Sequence, residues 1–256
     1  MRHIKSGLAW AILFFGVSVA NICMASGSVE IVKAEGSLTV SDAAGLNQKS
    51  AKTKDKLPHS NILTTGTNGR AIVRVGHTGF VVLEKNSQIE INTGNDHANF
   101  FRHITGMIYY AINRINKNDN TLEIRTKTAT IGIRGTRFMV TDMPARYEVA
   151  MRKGALNILS PQEEFEIHKI SEQDEFEADK QAAQEAMAAE KDQFEKYKKD
   201  TQHEFIEYKR EFTLATGRMV SFDGKRADDR PLSDAAQKDM ETLESYADKW
   251  LAKVHD

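Results

Sequence analysis

Few residues in this sequence have the types and spacing that catalysis or metal binding requires. His97 and His103 are six residues apart, which is not a zinc-site spacing, and Cys23 is the single cysteine of the chain. We therefore predict no metal site and expect both histidines to be surface imidazoles. No nucleophile elbow, P-loop, dinucleotide-binding or metalloprotease motif occurs. The sequence predicts a protein that is not an enzyme and uses no cofactor.

Basic side chains are better candidates for binding. The net charge of −1 excludes a globally basic nucleic-acid-binding protein, but residues 27–160 carry 18 basic and 11 acidic side chains. Two arginines in this part, Arg134 and Arg137, would either donate to backbone carbonyls at a corner or face an anion. A polar segment over 43–59, predicted to be an exposed loop, contributes four lysines as ligand or partner contacts: Lys49, Lys52, Lys54 and Lys56.

Short β-branched stretches interrupted by Gly, Asn and Asp fill residues 27–160. Apolar and polar residues alternate in several of them, as at Ile89, Glu90 and Ile91. We expect one ring of each aromatic pair, Phe100-Phe101 and Tyr109-Tyr110, to pack in a core. Strands are predicted over 29–32, 37–40, 61–64, 71–75, 80–83, 87–91, 106–112, 121–125, 136–141, 147–150 and 155–159. The pattern predicts a mainly β fold, a solenoid-like or sandwich-like stack of short strands.

Two motifs in this β segment resemble the two halves of a FecR-type domain, and the resemblance covers residues 57–160. The first is Leu63-Thr64-Thr65-Gly66-Thr67-Asn68-Gly69-Arg70-Ala71. The second and more specific one is centred on Ile133-Arg134-Gly135-Thr136-Arg137-Phe138, followed by Gly154-Ala155-Leu156. The structural positions of the motifs are Gly66, Gly69, Gly135, Thr136, Phe138 and Gly154.

The resemblance implies a periplasmic domain of coiled, solenoid-like strands. In the best-known members this domain senses an outer-membrane receptor and controls a sigma factor. The sequence differs from that pattern, because Gly76-His77-Thr78-Gly79 replaces the usual Asp-Gly-Ser turn and no sigma-binding domain precedes the apolar N-terminal segment. We therefore expect a stand-alone extracytoplasmic binding module.

Residues 1–25 have the pattern of a secretory signal peptide. Arg2 and Lys5 precede an apolar run over 8–20, and the small residue Ala25 follows it. Cleavage after Ala25 would leave an exported, most simply periplasmic, protein with no membrane span and no cysteine. The alternative is that the segment is kept as an N-terminal anchor.

Residues 161–256 are predicted to form an acidic helical region with 15 basic and 25 acidic side chains. Apolar residues eleven apart predict one helix over 172–211. Ser233 is a candidate N-cap for a second helix over 233–254, whose apolar seam is Ala236, Met240, Leu243, Ala247, Trp250 and Val254. An antiparallel helical hairpin would bury both seams, and self-association through these helices is the alternative.

These features together predict a non-enzymatic binding or signalling module that acts through protein–protein contacts in the cell envelope. The alternative is a protein that binds an anionic envelope polymer, peptidoglycan or lipopolysaccharide, through the four lysines. Such binding would weaken as salt is added. A further hypothesis is intramolecular: the acidic tail covers the basic β surface and regulates access to it.

Overall fold

The computed structural model describes residues 29–76, 79–92, 99–113, 122–169 and 205–251. The predicted signal peptide and residues 172–204 of the predicted first helix lie outside these ranges. The described residues form nineteen strands and a helix, α1 (Asp234–Leu251). The strands are β1 (Val29–Glu35), β2 (Leu38–Ser41), β3 (Lys49–Ser50), β4 (Lys56–Leu57), β5 (Asn61–Thr65), β6 (Arg70–Val75), β7 (Gly79–Leu83), β8 (Gln88–Asn92), β9 (Asn99–Ile112), β10 (Leu122–Arg125), β11 (Thr130–Ile133), β12 (Thr136–Met143), β13 (Arg146–Lys153), β14 (Ala155–Leu159), β15 (Phe165–Lys169), β16 (Phe205–Lys209), β17 (Glu211–Ala215), β18 (Arg218–Asp223) and β19 (Arg226–Pro231).

The strands form two layers that share β9. Sheet 1 has the order β4–β1–β6–β7–β9–β12–β13–β18–β19–β15–β16. Sheet 2 has the order β3–β2–β5–β8–β9–β10–β11–β14–β17. Neighbours are antiparallel except for the parallel pairs β9–β10 and β15–β19. The prediction of a mainly β fold is confirmed, and the sheet is not closed.

Strand β9 passes from one layer to the other at Gly106. Residues before Gly106 pair with β8 in sheet 2, and residues from Gly106 onward pair with β12 in sheet 1. Gly106 has a φ of 94°, and a Cβ atom there would lie 2.4 Å from the Cα atom of Ser87. The Ser87 hydroxyl accepts from the backbone N–H of Met107 at 3.1 Å, which holds the bend against the adjacent turn. Both the backbone angle and the close contact therefore require glycine.

The main core lies between the two sheets. Inward side chains alternate along the strands, as with Ala71 and Val73 on β6 and Phe138 and Val140 on β12. Sheet 2 contributes residues such as Leu63 to the same cluster. The rings of Tyr110 and Phe138 stack with their centroids 5.0 Å apart. Burial of these aliphatic and aromatic side chains holds the two layers together.

A second core lies on the other face of sheet 1, where α1 packs. Sheet 1 contributes Val32, Ile72, Val82, Tyr109, Ala111, Met139, Ala150 and Met219, and the helix contributes Ala236, Met240, Leu243 and Ala247. We call this side the outer face of sheet 1. Its burial explains why both Tyr109 and Tyr110 are in cores, where one of the pair was expected. The other aromatic pair follows the expectation, since Phe101 is buried and Phe100 lies partly exposed.

Helix α1 begins where Ser233 caps it, as the sequence predicts. The Ser233 hydroxyl accepts from the backbone N–H of Ala236 at 3.3 Å. The predicted apolar seam is also present, and four of its residues are buried. Sheet 1, and not a second helix, covers this seam. The described part of the chain therefore gives no support to the predicted helical hairpin. Val254, the last residue of the predicted seam, lies outside the described residues.

All eleven strands predicted between residues 29 and 159 are present, several of them longer than predicted. The prediction of a helical region over 161–256 is wrong over 165–169 and 205–215, which form β15, β16 and β17. The predicted connector over 217–230 is largely the hairpin β18–β19. The backbone of β16 pairs with β15, which lies far from it in the sequence. Gly224 occupies the tight turn between β18 and β19 with a φ of 58°. Pairing with distant strands overrides local helical preference here.

The bend in β9 gives a direct test of this architecture. Replacing Gly106 with alanine should lower the free energy of unfolding by more than about 2 kcal/mol, because a positive φ costs an alanine about 1–2 kcal/mol and the Ser87 backbone must also move. Gly217→Ala is the matched control, since Gly217 has a φ of 76° and nothing lies within 4 Å of the place that an added methyl group would take. Urea denaturation measures both. Equal losses in the two variants would show that the contact with Ser87 does not constrain β9.

Candidate functional site

Two four-strand units with the same connectivity flank β9. In the first unit, β6 and β7 form a hairpin in sheet 1 while β5 and β8 pair in sheet 2. In the second, β12 and β13 form the sheet 1 hairpin while β11 and β14 pair in sheet 2. The two motifs noted in the sequence are the β5–β6 and β11–β12 corners of these units. The chain therefore repeats one arrangement on either side of β9.

The repeat places an arginine at the same position in each unit. Arg70 lies two residues before Ile72, and Arg137 lies two residues before Met139. Ile72 and Met139 both belong to the second core. Because side chains alternate along a strand, both arginines lie on the outer face of sheet 1, beside α1.

The two arginines differ in the source of their carboxylate partner. Arg70 pairs with Glu84, which lies directly across from it at the end of β7, and its guanidinium carbon lies 4.6 Å from the ring centroid of Tyr246 on α1. Arg137 forms an ion pair with Glu244 on α1. The first unit thus neutralises its arginine within the sheet, whereas the second takes a carboxylate from the helix.

A second arginine of the second unit shares this carboxylate. The Arg152 Nη1 atom lies 3.1 Å from Glu244 Oε2, and Arg152 Nη2 lies 3.9 Å from Glu241 Oε1. We call Arg137 and Arg152 the arginine pair. Their side chains are 37% and 31% exposed, while that of Glu244 is 15% exposed. Two like charges are therefore held side by side at the edge of the second core, with one carboxylate between them.

Tyr109, which is buried in the second core, lies close enough to Arg137 and Glu244 for their charges to affect its hydroxyl. Burial raises the pKa of Tyr109 to about 12, and the charge of Glu244 adds to this effect. Burial also opposes the charge on Arg137, but attraction to Glu244 and Tyr109 outweighs it and raises the pKa of the guanidinium. Both groups keep their protons at physiological pH. The tyrosine is neutral and the arginine is charged, which suits binding of a carboxylate.

Two further features define the edges of this interface. The Lys33 Nζ atom lies 3.9 Å from the ring centroid of Trp250 near the end of α1. A cavity of about 530 Å³ lies beside the middle of the helix. Its walls include Lys85, Met107, Met143, Asp239 and Leu243. Since α1 itself forms one wall, the cavity depends on the position of the helix.

The predicted binding residues lie in separate places. Arg137 joins the interface with α1, but Arg134 is exposed in the turn before β12. The four predicted lysines are all exposed, and they are gathered on and between the two-residue strands β3 and β4. These two strands stand at one end of their sheets, where exposed lysines also prevent pairing with another chain. The structure brings none of the lysines to the arginine pair.

The motif residues lie in the corners of the two units. Gly66 and Gly69 lie between β5 and β6, and Gly135 and Gly154 lie side by side at the open end of the β12–β13 hairpin. A Cβ atom on Gly69 would lie 2.3 Å from the carbonyl oxygen of Ser37, so a larger residue would displace the backbone. The remaining motif residues, Thr136 and Phe138, are buried at the start of β12.

Sequence reasoning missed Arg152, Tyr109 and Glu244 as members of this site. Arg152 and Glu244 have no unusual sequence context, and only the pairing of β13 and the docking of α1 bring them together. The continuous apolar run at Ile108-Tyr109-Tyr110-Ala111-Ile112 was the available signal. Such a run is typical of a strand that is buried on both faces.

His103 is buried, and the expectation of a surface imidazole is wrong. Its Nε2 atom lies 3.2 Å from the carbonyl oxygen of Gly106, which can only accept, so Nε2 carries the proton. Nδ1 then accepts from the Tyr110 hydroxyl at 3.1 Å. Burial lowers the pKa of His103 to about 4, although the hydrogen bond to Gly106 opposes this effect. His97 lies outside the described residues.

The described residues contain no group of three or more His, Cys, Asp or Glu side chains placed to hold a metal ion. The helix that they form is not long and apolar enough to cross a membrane.

Comparison with known proteins identifies the β segment. Residues 61–157 match the family model described as FecR protein, so the chain carries a FecR-type domain and the resemblance in the sequence is confirmed. No curated protein matches the chain. Two crystal structures of a protein from Parabacteroides distasonis ATCC 8503, provisionally described as an anti-sigma factor, have TM-scores of 0.44 and 11% identity. Each alignment covers 69% of this chain and 61% of the other, so the chain spans about three fifths of that protein's length.

The matched segment contains Arg137 and Arg152 but not Glu244. The interface described above is therefore formed between the FecR-type domain and a helix that lies beyond it in the chain. The domain supplies two cations, and the helix supplies the anion.

The environment of His103 predicts a pH dependence of stability. The pKa of His103 is 6.5 in the unfolded chain and about 4 in the folded protein. The stability that neutral His103 contributes is therefore fully present above pH 6.5 and is lost as the pH falls from 6.5 towards 4. The loss should reach about 3 kcal/mol at pH 4, at 1.36 kcal/mol per pKa unit. Urea denaturation of the wild type and His103→Gln between pH 7 and 4 measures it. The variant should show a shallower decline, and parallel curves would contradict the assignment.

Proposed function

We propose that this protein is a non-enzymatic binding or signalling module of FecR type that acts through protein–protein contacts in the cell envelope. The proposal rests on the ion pair between Arg137 and Glu244. Arg137 lies in the matched FecR-type segment, and it binds a side chain of a separate, acidic element that packs on the outer face of sheet 1. Recognition of one folded element by another is the chemistry of a protein-binding surface.

Three features support this function. The FecR-type domain is regulatory in the proteins that the sequence resembles. The signal-peptide pattern of residues 1–25 supports export to the periplasm. The outer face of sheet 1 combines an apolar centre with an arginine-rich edge formed by Arg70, Arg137 and Arg152, and both features are typical of protein interfaces.

One observation favours a second function, the binding of an anionic envelope polymer. All four lysines of the β3–β4 segment are exposed, and no described carboxylate forms an ion pair with any of them. Peptidoglycan or lipopolysaccharide would contact this cationic edge without involving the arginine pair. The two functions therefore use different surfaces and can be tested in one experiment.

Photo-crosslinking in cells tests both functions. A photoreactive amino acid replaces Lys153, beside the arginine pair in sequence, or Ser50, in the lysine segment, and Asp223 in the β18–β19 turn is the control position. All three side chains are exposed. We expect the Lys153 position to form adducts with an envelope protein that are absent at the Asp223 position. Adducts are identified by mass spectrometry after purification from the envelope fraction.

The outcomes separate the two functions. Polymer adducts at Ser50 that disappear when the four lysines are replaced by glutamine would favour the polymer-binding function. A matched variant in which Lys127, Lys169, Lys209 and Lys225 are replaced controls for the change of net charge, because these lysines are exposed and belong neither to the β3–β4 segment nor to the interface with α1. Absence of envelope-protein adducts at every position would contradict the proposed function.

A further inference from the structure

We propose that the outer face of sheet 1 is a docking surface for an acidic amphipathic helix, and that α1 is a resident occupant which a partner helix of the same chemistry replaces. The inference rests on the proposed function, because it names the surface and the kind of partner through which a protein-binding module would act.

The arginine pair requires a carboxylate that sheet 1 does not provide. Among the described residues, the ion pairs of Arg137 and Arg152 are all with Glu241 and Glu244 of α1. At the equivalent place in the first unit, Arg70 has Glu84 across from it within the sheet. Two neighbouring cations without an acid in their own sheet form a receptor for a carboxylate. Leaving these partly buried charges unpaired would raise the free energy of the folded protein.

The apolar part of the surface is suited to exchange of one helix for another. Met139 and Met219 on the sheet and Met240 on the helix meet in the second core. Unbranched methionine side chains adapt to different partners and are common at surfaces that bind more than one helix. On α1, Ala236 and Ala247 allow the helix to lie close to the sheet. A partner helix needs only small or flexible apolar residues at these places.

The attachment of α1 allows another helix to replace it without breaking a strand pair. Its residues form no backbone hydrogen bond with any described strand, and the chain before it is held by the N–H of Leu232, which donates to the carbonyl oxygen of Gly217 at 2.9 Å. The side chains of the arginine pair are about one third exposed, so water and salt reach the ion pairs. Departure of α1 would break side-chain contacts and uncover the second core, but it would leave every strand pair in place.

These contacts define the partner helix by its residue pattern. A carboxylate is required at the place of Glu244, with apolar residues one and four positions before it and a small residue three positions after it. These are the positions of Leu243, Met240 and Ala247. An aromatic residue two positions after the carboxylate would lie over Arg70, as Tyr246 does. The partner is therefore an acidic helix, not a strand and not a nucleic acid.

Exchange can be measured with the chain's own helix as the probe. A fluorescent synthetic peptide of residues 232–256 is titrated with the full chain, and binding is followed by fluorescence anisotropy. In the Glu244→Gln chain the resident helix holds the arginine pair less tightly, whereas the peptide still has its glutamate. We expect this chain to bind the peptide about fivefold more tightly than the wild type, because the ion pairs that the resident helix loses are partly exposed.

Three variants control the measurement. Asp248→Asn removes the same charge from an exposed position of α1 and should bind the peptide like the wild type. Adding Arg137→Gln to the Glu244→Gln chain should abolish the gain, because the receptor is then incomplete. Leu243→Ala weakens the resident helix without changing a charge and should also increase binding. It serves as the second test if hydrogen exchange shows that β9 and β12 are no longer protected in the Glu244→Gln chain.

The result also separates this inference from the proposed function. Equal peptide affinity for the wild type, Glu244→Gln and Leu243→Ala chains would overturn the inference even if cross-linking captures an envelope protein. Tighter binding to Glu244→Gln that survives Arg137→Gln would overturn it as well. Exchange with the expected pattern, together with no envelope-protein adduct in cells, would retain the docking surface and refute the proposed function.

Discussion

Sheet 1 has apolar side chains on both faces, and the rest of the structure depends on this two-sided burial. Sheet 2 covers the inner face, and α1 covers the outer face. An uncovered outer face would expose Ile72, Tyr109 and Met139 to water together with the arginine pair. The fold is therefore incomplete without a helix on this face, although the helix lies beyond the segment that matches the FecR family.

The repeated four-strand units explain how the chain presents this surface. Each unit places a hairpin in sheet 1 and a strand pair in sheet 2, and the bend of β9 at Gly106 joins the two units into continuous layers. The repeat places Arg70 and Arg137 on the same face. Their different partners, Glu84 in the sheet and Glu244 on the helix, make the second unit the one that depends on another element. Binding of another element is therefore expected at the second unit, whose arginine has its carboxylate partner on the helix and not in the sheet.

Much of the β fold could be predicted from local patterns, but its layering could not. Alternation and turn signals identify all the strands between residues 29 and 159 except β3, β4 and β11, since period-two patterns reflect one buried face. Strands β15 to β17 were missed because their partners are distant in sequence and the charged, Gly-free stretch suggested a helix. The hairpin β18–β19 was missed because its polar, Gly-containing sequence was interpreted as a connector. Arg137 was identified as a candidate from its motif. Its partner Glu244 was not, because no sequence pattern states which sheet face a helix covers.

A double-mutant cycle on Arg137 and Glu244 tests the central claim most directly, that the FecR-type domain holds α1 through this ion pair. The free energy of unfolding of the wild type, Arg137→Gln, Glu244→Gln and the double variant is measured in urea at low and high salt. The account predicts a coupling of about 1 kcal/mol that decreases with salt, because the pair is partly exposed. The exposed pair Arg125 and Glu123 serves as the reference and should show a smaller coupling. A coupling indistinguishable from zero at low salt would contradict the claim.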